Sequence, residues 1–517
     1  MTRPWPIARS AQLLSALTIA VAAATGSVAL ADAAKPKAGG KIVMGLEADF
    51  PSLDVLRVSA IAEREVALAI YDPLFDVDEK GEVVPYLASG YSVSADGTVY
   101  TIKLRPGVKF HDGTPFDAAA VVFNIDRDRD PKNTCRCLGQ IGLIDHARAI
   151  DPLTVEITLK EPSGTLPALL TDTPGMMASP TAIKQDAQAF GNHPVGTGAF
   201  VFKEWVKGDH ITFTRNADYW NKPLPHADQV TFRPIPSEEA RQATLVSGGI
   251  NISENPGAKS IVNAKKDARL RVVATAGLGT VFVMSNTKTG PTADVRVRRA
   301  MAFATDRKLI VKALYYDLYD LVESPFAKGS WAYQAKVPDF PSYDLAKAKA
   351  LVKDYGQPIE IALSLQNTPD TVRLGEALQA MWQKAGIKVT IQQFEQHRLI
   401  ENALTKEFQA QIFRWAGRPD PDLNVYKFFY SKYANVRSSN YTQFNNPTMD
   451  KLLDEASQAI DQGKRKAIYA QVSGLLAKEM PYNYLFAASF FNITAKQVHG
   501  VVPVPDGLVR VRNVWLD

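Results

Sequence analysis

The sequence offers few sets of residues that could do chemistry together. Its seven histidines are scattered, and none stand at the i,i+3 or i,i+4 spacing that lets one helix present two ligands to a metal. His111 lies in Phe110-His111-Asp112-Gly113-Thr114-Pro115-Phe116. Gly and Pro already account for that segment as a turn, so His111 reads as a structural turn histidine, and Thr or Asp there can cap the helix that follows. Gly196-Thr197-Gly198 could be taken for a phosphate loop, but Val201 and Phe202 continue a strand-like run. No helix N-terminus is offered to an anion, and the segment reads as a tight turn. Cys135 and Cys137 are separated by one residue. They fit either a tight, strained disulfide or two thiols in a surface loop. A metal there needs further ligands, of which the nearest in sequence is His146. Gly-x-Ser-x-Gly, His-Glu-x-x-His and Walker motifs are absent from the sequence. No catalytic group, metal or cofactor is expected.

The elements around these residues are mixed. Residues 98–105 alternate, with Tyr100, Ile102 and Leu104 on one side, and residues 153–160 alternate through Leu153, Val155, Ile157 and Leu159. Both predict half-buried strands. The second half changes character. Asp294 and Asp306 stand where helix caps belong. Leu374, Leu378 and Met381 form an apolar stripe ended by Gly386, after which Ile387, Val389 and Ile391 alternate as a strand. Asn446-Pro447 supplies a cap and a first turn. Helix, glycine, then strand predicts a layered α/β lobe beside a strand-rich one. Arg296, Arg298 and Arg299 read as a solvated helix face or a set of ion pairs.

Composition excludes some classes. With 46% hydrophobic and 22% charged residues, the chain is not a disordered one. Formal charge is +5, or +3 once a leader carrying Arg3 and Arg9 is removed. That is too weak for a nucleic-acid footprint. The leader is read from those arginines, the apolar run 13–30 and Ala29-Leu30-Ala31, with cleavage expected after Ala31.

Several short segments then stand in a telling order. They are Tyr71-Asp72-Pro73-Leu74-Phe75, the dense stretch 85–127, Pro194-Val195-Gly196-Thr197-Gly198-Ala199-Phe200 and Asn216-Ala217-Asp218-Tyr219-Trp220. Residues 243–249, Asn286-Thr287, residues 295–300, Pro419-Asp420-Pro421-Asp422 and Asn446-Pro447 follow. In these the chain resembles the extracellular solute-binding proteins of peptide and nickel ABC importers, the large two-lobed class. The resemblance implies an α/β, two-lobed periplasmic binding protein with an additional β-rich subdomain in the first lobe. Its expected parts are a signal peptide (1–31), lobe I (32–76, 200–283 and 487–517), the extra subdomain (77–199) and lobe II (284–486). It also implies a periplasmic monomer that binds a small-molecule ligand and meets ABC permease subunits in the inner membrane, with no nucleic acid and no cofactor.

The same resemblance puts the ligand between the lobes, near the crossover strands. Two segments match: Leu278, Gly279 and Thr280, and then Trp415, Gly417 and Arg418. Peptide binders of this class often carry an Asp shortly after the corresponding Trp, where it holds an ammonium group. Here Arg418 stands close to that place. A buried ammonium needs an anion, whereas arginine suits a carboxylate or phosphate. Two readings of Arg418 stay open: contact with an anionic part of the ligand, or outward pairing with Asp420 or Asp422. Glu395 is a candidate for a cationic group, or a solvated loop carboxylate. Trp415 can stack on a ligand or pack in the core. The expected function is capture of a peptide or peptide-like solute. The alternatives are a receptor for another organic anion or a metal chelate, and an exported hydrolase.

Overall fold

The computed structural model describes residues 35–517. The expected leader lies outside the described residues. Strand β1 (Lys41–Leu46) opens the first lobe. A short pair, β2 (Phe75–Val77) and β3 (Val83–Pro85), leads to β4 (Ala88–Val93), β5 (Val99–Leu104), β6 (Ile144–Asp151) and β7 (Thr154–Leu159). These four form an antiparallel sheet in the order β4-β5-β7-β6. The chain continues with β8 (Phe200–Val206), β9 (His210–Arg215), β10 (Gln229–Pro234), β11 (Ile252–Glu254) and β12 (Leu270–Thr275). It enters the second lobe with β13 (Thr280–Ser285), β14 (Ile359–Gln366), β15 (Ile387–Phe394), β16 (Ala410–Trp415) and β17 (Tyr482–Ala487). It returns with β18 (Phe490–Ala495) and closes with the pair β19 (Val498–His499) and β20 (Trp515–Leu516).

Each lobe is built on one sheet. The first has seven strands in the order β12-β18-β11-β1-β10-β9-β8, and the second has five in the order β15-β14-β16-β13-β17. Helix α1 (Ile61–Ile70) packs Val66 and Ile70 into a core with Ile42, Met44, Phe213 and Phe232 of the first sheet. In the second lobe, Val283, Leu363 and Trp382 belong to one core cluster, and Met284, Phe326 and Tyr469 to another. Successive residues of β13 thus serve opposite faces, as the period of two requires, and all six are buried.

Local chemistry explains the elements. Tyr100, Ile102 and Leu104 point inward from β5, as do Val155, Ile157 and Leu159 from β7. Asp294 accepts a hydrogen bond from the Arg296 N–H, Asp306 from that of Leu309, and Asn446 from those of Thr448 and Met449. Gly386, at φ +93°, sits between the helix Pro369–Lys384 and β15. His111 is a turn residue: its Nε2 lies 2.9 Å from the Gly198 carbonyl, and its N–H donates to Gly196. The helix after that turn, α2 (Ala118–Arg129), takes its cap from Asp117, one residue beyond the segment expected to supply it. Gly196 and Gly198 lie against the Ile70 carbonyl, where a Cβ would come within 2.2 and 2.6 Å of its oxygen. They permit a close backbone approach in lobe I.

One open choice is resolved and two expectations are revised. Cys135 and Cys137 are joined in a disulfide and are buried, so a surface loop of thiols is excluded. The acidic group beside the two sulfurs is Asp128, while His146 is exposed on β6 and pairs with Asp145. The arginine cluster is divided. Arg296 pairs with Asp294 and Asp354, but Arg298 is buried. Arg298 and Arg299 donate to the carbonyls of Ala477, Lys478 and Glu479 at the C-terminus of the helix Gln462–Glu479. Cations fit that end of a helix dipole, so the cluster buttresses the fold. Finally, β13 lies whole in the second sheet from Thr280 onward. The first sheet change falls at residues 276–279, where the sequence reading had split that strand after residue 283.

Candidate ligand-binding cleft

The two sheets are joined by two crossovers that run side by side. One is the step from β12 to β13; the other is Ala488 and Ser489, between β17 and β18. The Ala488 N–H donates to the Gly279 carbonyl at 2.9 Å. A Cβ on Gly277 would lie 2.0 Å from the Ala488 oxygen, so the crossovers touch through backbone. Paired short segments of this kind can absorb a rotation of one lobe against the other.

Pairing of β13 with β16 brings the two expected segments together. Thr280 is the register partner of Trp415. A Cβ on Gly279 would sit 1.9 Å from the Trp415 oxygen, and one on Gly417 (φ +86°) 2.5 Å from the Gly279 nitrogen. These glycines allow backbone to meet backbone. Leu278 is fully buried. Glu395 is not gathered with the others. It is exposed at the N-terminus of the helix Gln396–Thr405, beyond edge strand β15, with β14 and β16 between it and β13.

Asn424 shapes the loop after β16. Its Oδ1 accepts from the Trp415 indole N–H (2.8 Å) and the Arg418 N–H (2.7 Å), and its Nδ2 donates to the carbonyls of Arg418 and Asp420. Asp420 is held by Arg465 in a buried bidentate pair at 2.6 and 2.7 Å, so it is not the partner of Arg418. The Arg418 guanidinium lies over the Trp415 ring at 5.2 Å and reaches the other lobe. Its Nε is 3.0 Å from Asp172, and Arg64 of α1 approaches the same carboxylate at 2.8 Å. Burial pushes the Asp172 carboxyl up, but Arg64 and Arg418 override it and hold it below its ordinary value. Two arginines and one aspartate leave one net positive charge. Both Nε atoms thus stand within ion-pair distance of Asp172, although neither contact has the alignment of a hydrogen bond, and the excess positive charge suits an anion.

Beside this bridge is an aromatic cavity lined by Thr280, Phe282, Trp415, Phe428, Tyr482 and Tyr484 among others, with about 10 Å³ of free space. That is room for about one water. The hydroxyls of Tyr482 and Tyr484 are buried without partners among the described residues. The lobes also meet at Gly164, whose N–H donates to Ser457, and where Gly81 and Gly329 approach each other. Sequence reasoning missed Arg64 and Asp172. The signal for Arg64 was Glu63-Arg64-Glu65, three consecutive charges inside the otherwise apolar helix α1. All three are buried.

A two-lobed body, paired crossovers and charged residues converging from both lobes define a solute-binding protein. The chain belongs to the bacterial extracellular solute-binding proteins, family 5, whose pattern it matches over residues 82–436. It is 28% identical over 483 residues to the glutathione-binding protein GsiB of Pectobacterium atrosepticum, covering 92% of this chain and 94% of that one. Among solved structures it is similar to the periplasmic binding protein DppA of Helicobacter pylori in complex with the peptide STSA. That likeness has a TM-score of 0.82 at 26% identity and covers 93% of this chain and 99% of DppA. It is also similar to AgaA of A. tumefaciens R10 in complex with agropinic acid, with a TM-score of 0.80 at 27% identity, covering 92% and 99%.

Proposed function

We propose that this chain is the exported receptor of an ABC importer. It captures a peptide or peptide-like solute between its lobes and presents the closed form to permease subunits in the inner membrane. The observation that carries this reading is Asp172, a first-lobe carboxylate held by Arg64 of its own lobe and Arg418 of the other. A ligand that contacts both lobes shifts the population toward the closed form. Similarity to a glutathione-binding and a peptide-bound protein supports the ligand class. Among the described residues no helix is long and apolar enough to cross a membrane, which agrees with a periplasmic protein exported by the segment 1–31. The receptor acts as a monomer, uses no cofactor and returns its ligand unaltered.

The test is a thermal-shift panel of glutathione, di- and oligopeptides and opines, followed by mass spectrometry of the recovered ligand. A binder raises the melting temperature, by about 2.7 kcal/mol of added stability at a hundredfold excess over Kd, and is recovered intact. Turnover of the added peptide would instead support the hydrolase.

A further inference from the structure

The first-lobe floor of the cleft holds a second charged feature, of opposite sign to the arginine bridge. Strands β1 and β11 are parallel neighbours, and Glu47 and Glu254 emerge at the same, C-terminal, edge. In open α/β sheets that edge is where ligands bind. The Glu254 carboxylate accepts from the Glu47 N–H at 3.2 Å through Oε2, while its buried Oε1 has no partner among the described residues. Glu65 of α1 is fully buried and, among the described residues, accepts only from the Val509 N–H, at 2.9 and 3.1 Å. Independently of these carboxylates, Asn492 on β18 is the register partner of Glu254 and so shares its face of the sheet. Its Oδ1 is also buried and unpartnered, on a residue 5% exposed. Acceptors from three elements, β11, α1 and β18, thus gather at this edge of the first sheet.

Arg241 and Arg414 face Glu254, and Arg510 faces Glu65, but none of them forms an ion pair with either carboxyl among the described residues. Arg241 is spent on the carbonyls of Ile235, Glu254 and Asn255, and Arg510 on Asp506 and Asp76. Arg64 is engaged with Asp172. Arg414, from the opposite lobe, lies over the Phe490 ring and makes no ion pair among the described residues. Burial, followed by the neighbouring Glu47, raises the Glu254 carboxyl above its ordinary range; burial, followed by Glu254, does the same to Glu65. Buried carboxyls without an ion-pair partner keep their protons until a positive group arrives.

We infer that Glu254, Glu65 and Asn492 form the subsite for a cationic group of the ligand, a primary ammonium or a guanidinium. Arg64 and Glu65 are consecutive on α1, so this subsite adjoins the arginine bridge. Together the two select a dipolar ligand, with its positive group on the first-lobe floor and a carboxylate toward Arg64 and Arg418. The inference rests on the receptor reading above.

The test titrates glutathione and dialanine, each beside its N-acetylated form, into the wild type, Glu254→Gln and Glu65→Gln by calorimetry near neutral pH. Gln keeps the shape of the protonated acid, and thermal melts check that both variants fold. The expected result is that a free-ammonium probe binds the wild type at least about tenfold more tightly than its acetylated form, and that either variant shrinks this preference to within about threefold. An unchanged preference in both variants, or none in the wild type, overturns the subsite while leaving the receptor reading intact. Binding of no probe to the wild type counts against both.

Discussion

At the scale of single residues, Arg418 has two jobs that pull on one guanidinium. Its backbone and side chain are fixed by Asn424 and Trp415, and its charge is offered across the cleft to Asp172. Arg418→Ala is expected to weaken a carboxylate-bearing ligand by about 1.5–3 kcal/mol, roughly ten- to a hundredfold. The same ligand with its carboxylate amidated should be nearly indifferent to the change. Calorimetry on both forms checks this, and equal affinities in wild type and variant would remove Arg418 from the site. Arg418 was legible in the sequence because it departs from a familiar pattern beside Trp415. Asp172 was not, since its role depends on a contact with a residue far along the chain in another lobe. Glu395 misled because its place after a strand resembles that of a site residue, yet that strand is the outer edge of its sheet.

At the scale of elements, the crossover region has no room for side chains on its glycines. Gly279→Ala places a methyl group against the Trp415 carbonyl. Separating β13 from the end of β16 is expected to cost about 1–3 kcal/mol, the usual range for overpacking. Denaturant unfolding should show the midpoint falling, and ligand affinity should fall with it because Trp415 and Arg418 move. A variant with wild-type stability would show that the backbone approach is not needed. Helix caps, alternating strands and the Gly386 stop were readable locally, because a cap or a period of two is written in a few adjacent residues. The sheet order was not, nor the residue at which the chain changes sheets: β13 is buried along its whole length, and a continuous apolar strand carries no mark of which sheet it joins. The arginine cluster was misjudged for a related reason, since the carbonyls that bind Arg298 and Arg299 belong to a distant helix.

Over the whole molecule, buried acids set the response to pH. Burial raises the carboxyls of Glu65, Asp72, Asp128, Glu254 and Asp422, with Asp72 and Asp422 reaching about 7. In the unfolded chain such groups ionise near about 4. From about pH 5 to about pH 7 the folded ligand-free protein therefore binds more protons than the unfolded one, and its stability falls as pH rises. His111 and His226, lowered by burial, act in the opposite sense but are two against five. Asp76, which Arg510 and Arg512 hold down to about 2 despite burial, contributes stability that is lost only as pH falls below about 4. Scanning calorimetry of the ligand-free protein should give a higher Tm at about pH 5 than at about pH 7, and a Tm that climbs over that interval contradicts the assignment.

Closure itself is the most direct measurement. Spin labels on one exposed position in each lobe, Ile150 on β6 and Val436 beyond β16, report the distance between the lobes. With a ligand that raises the Tm, the distance distribution should collapse to a single short population and recover its breadth when the ligand, chemically unchanged, is dialysed away. A distribution that ignores saturating ligand, or a ligand recovered as a different compound, would contradict capture between closing lobes.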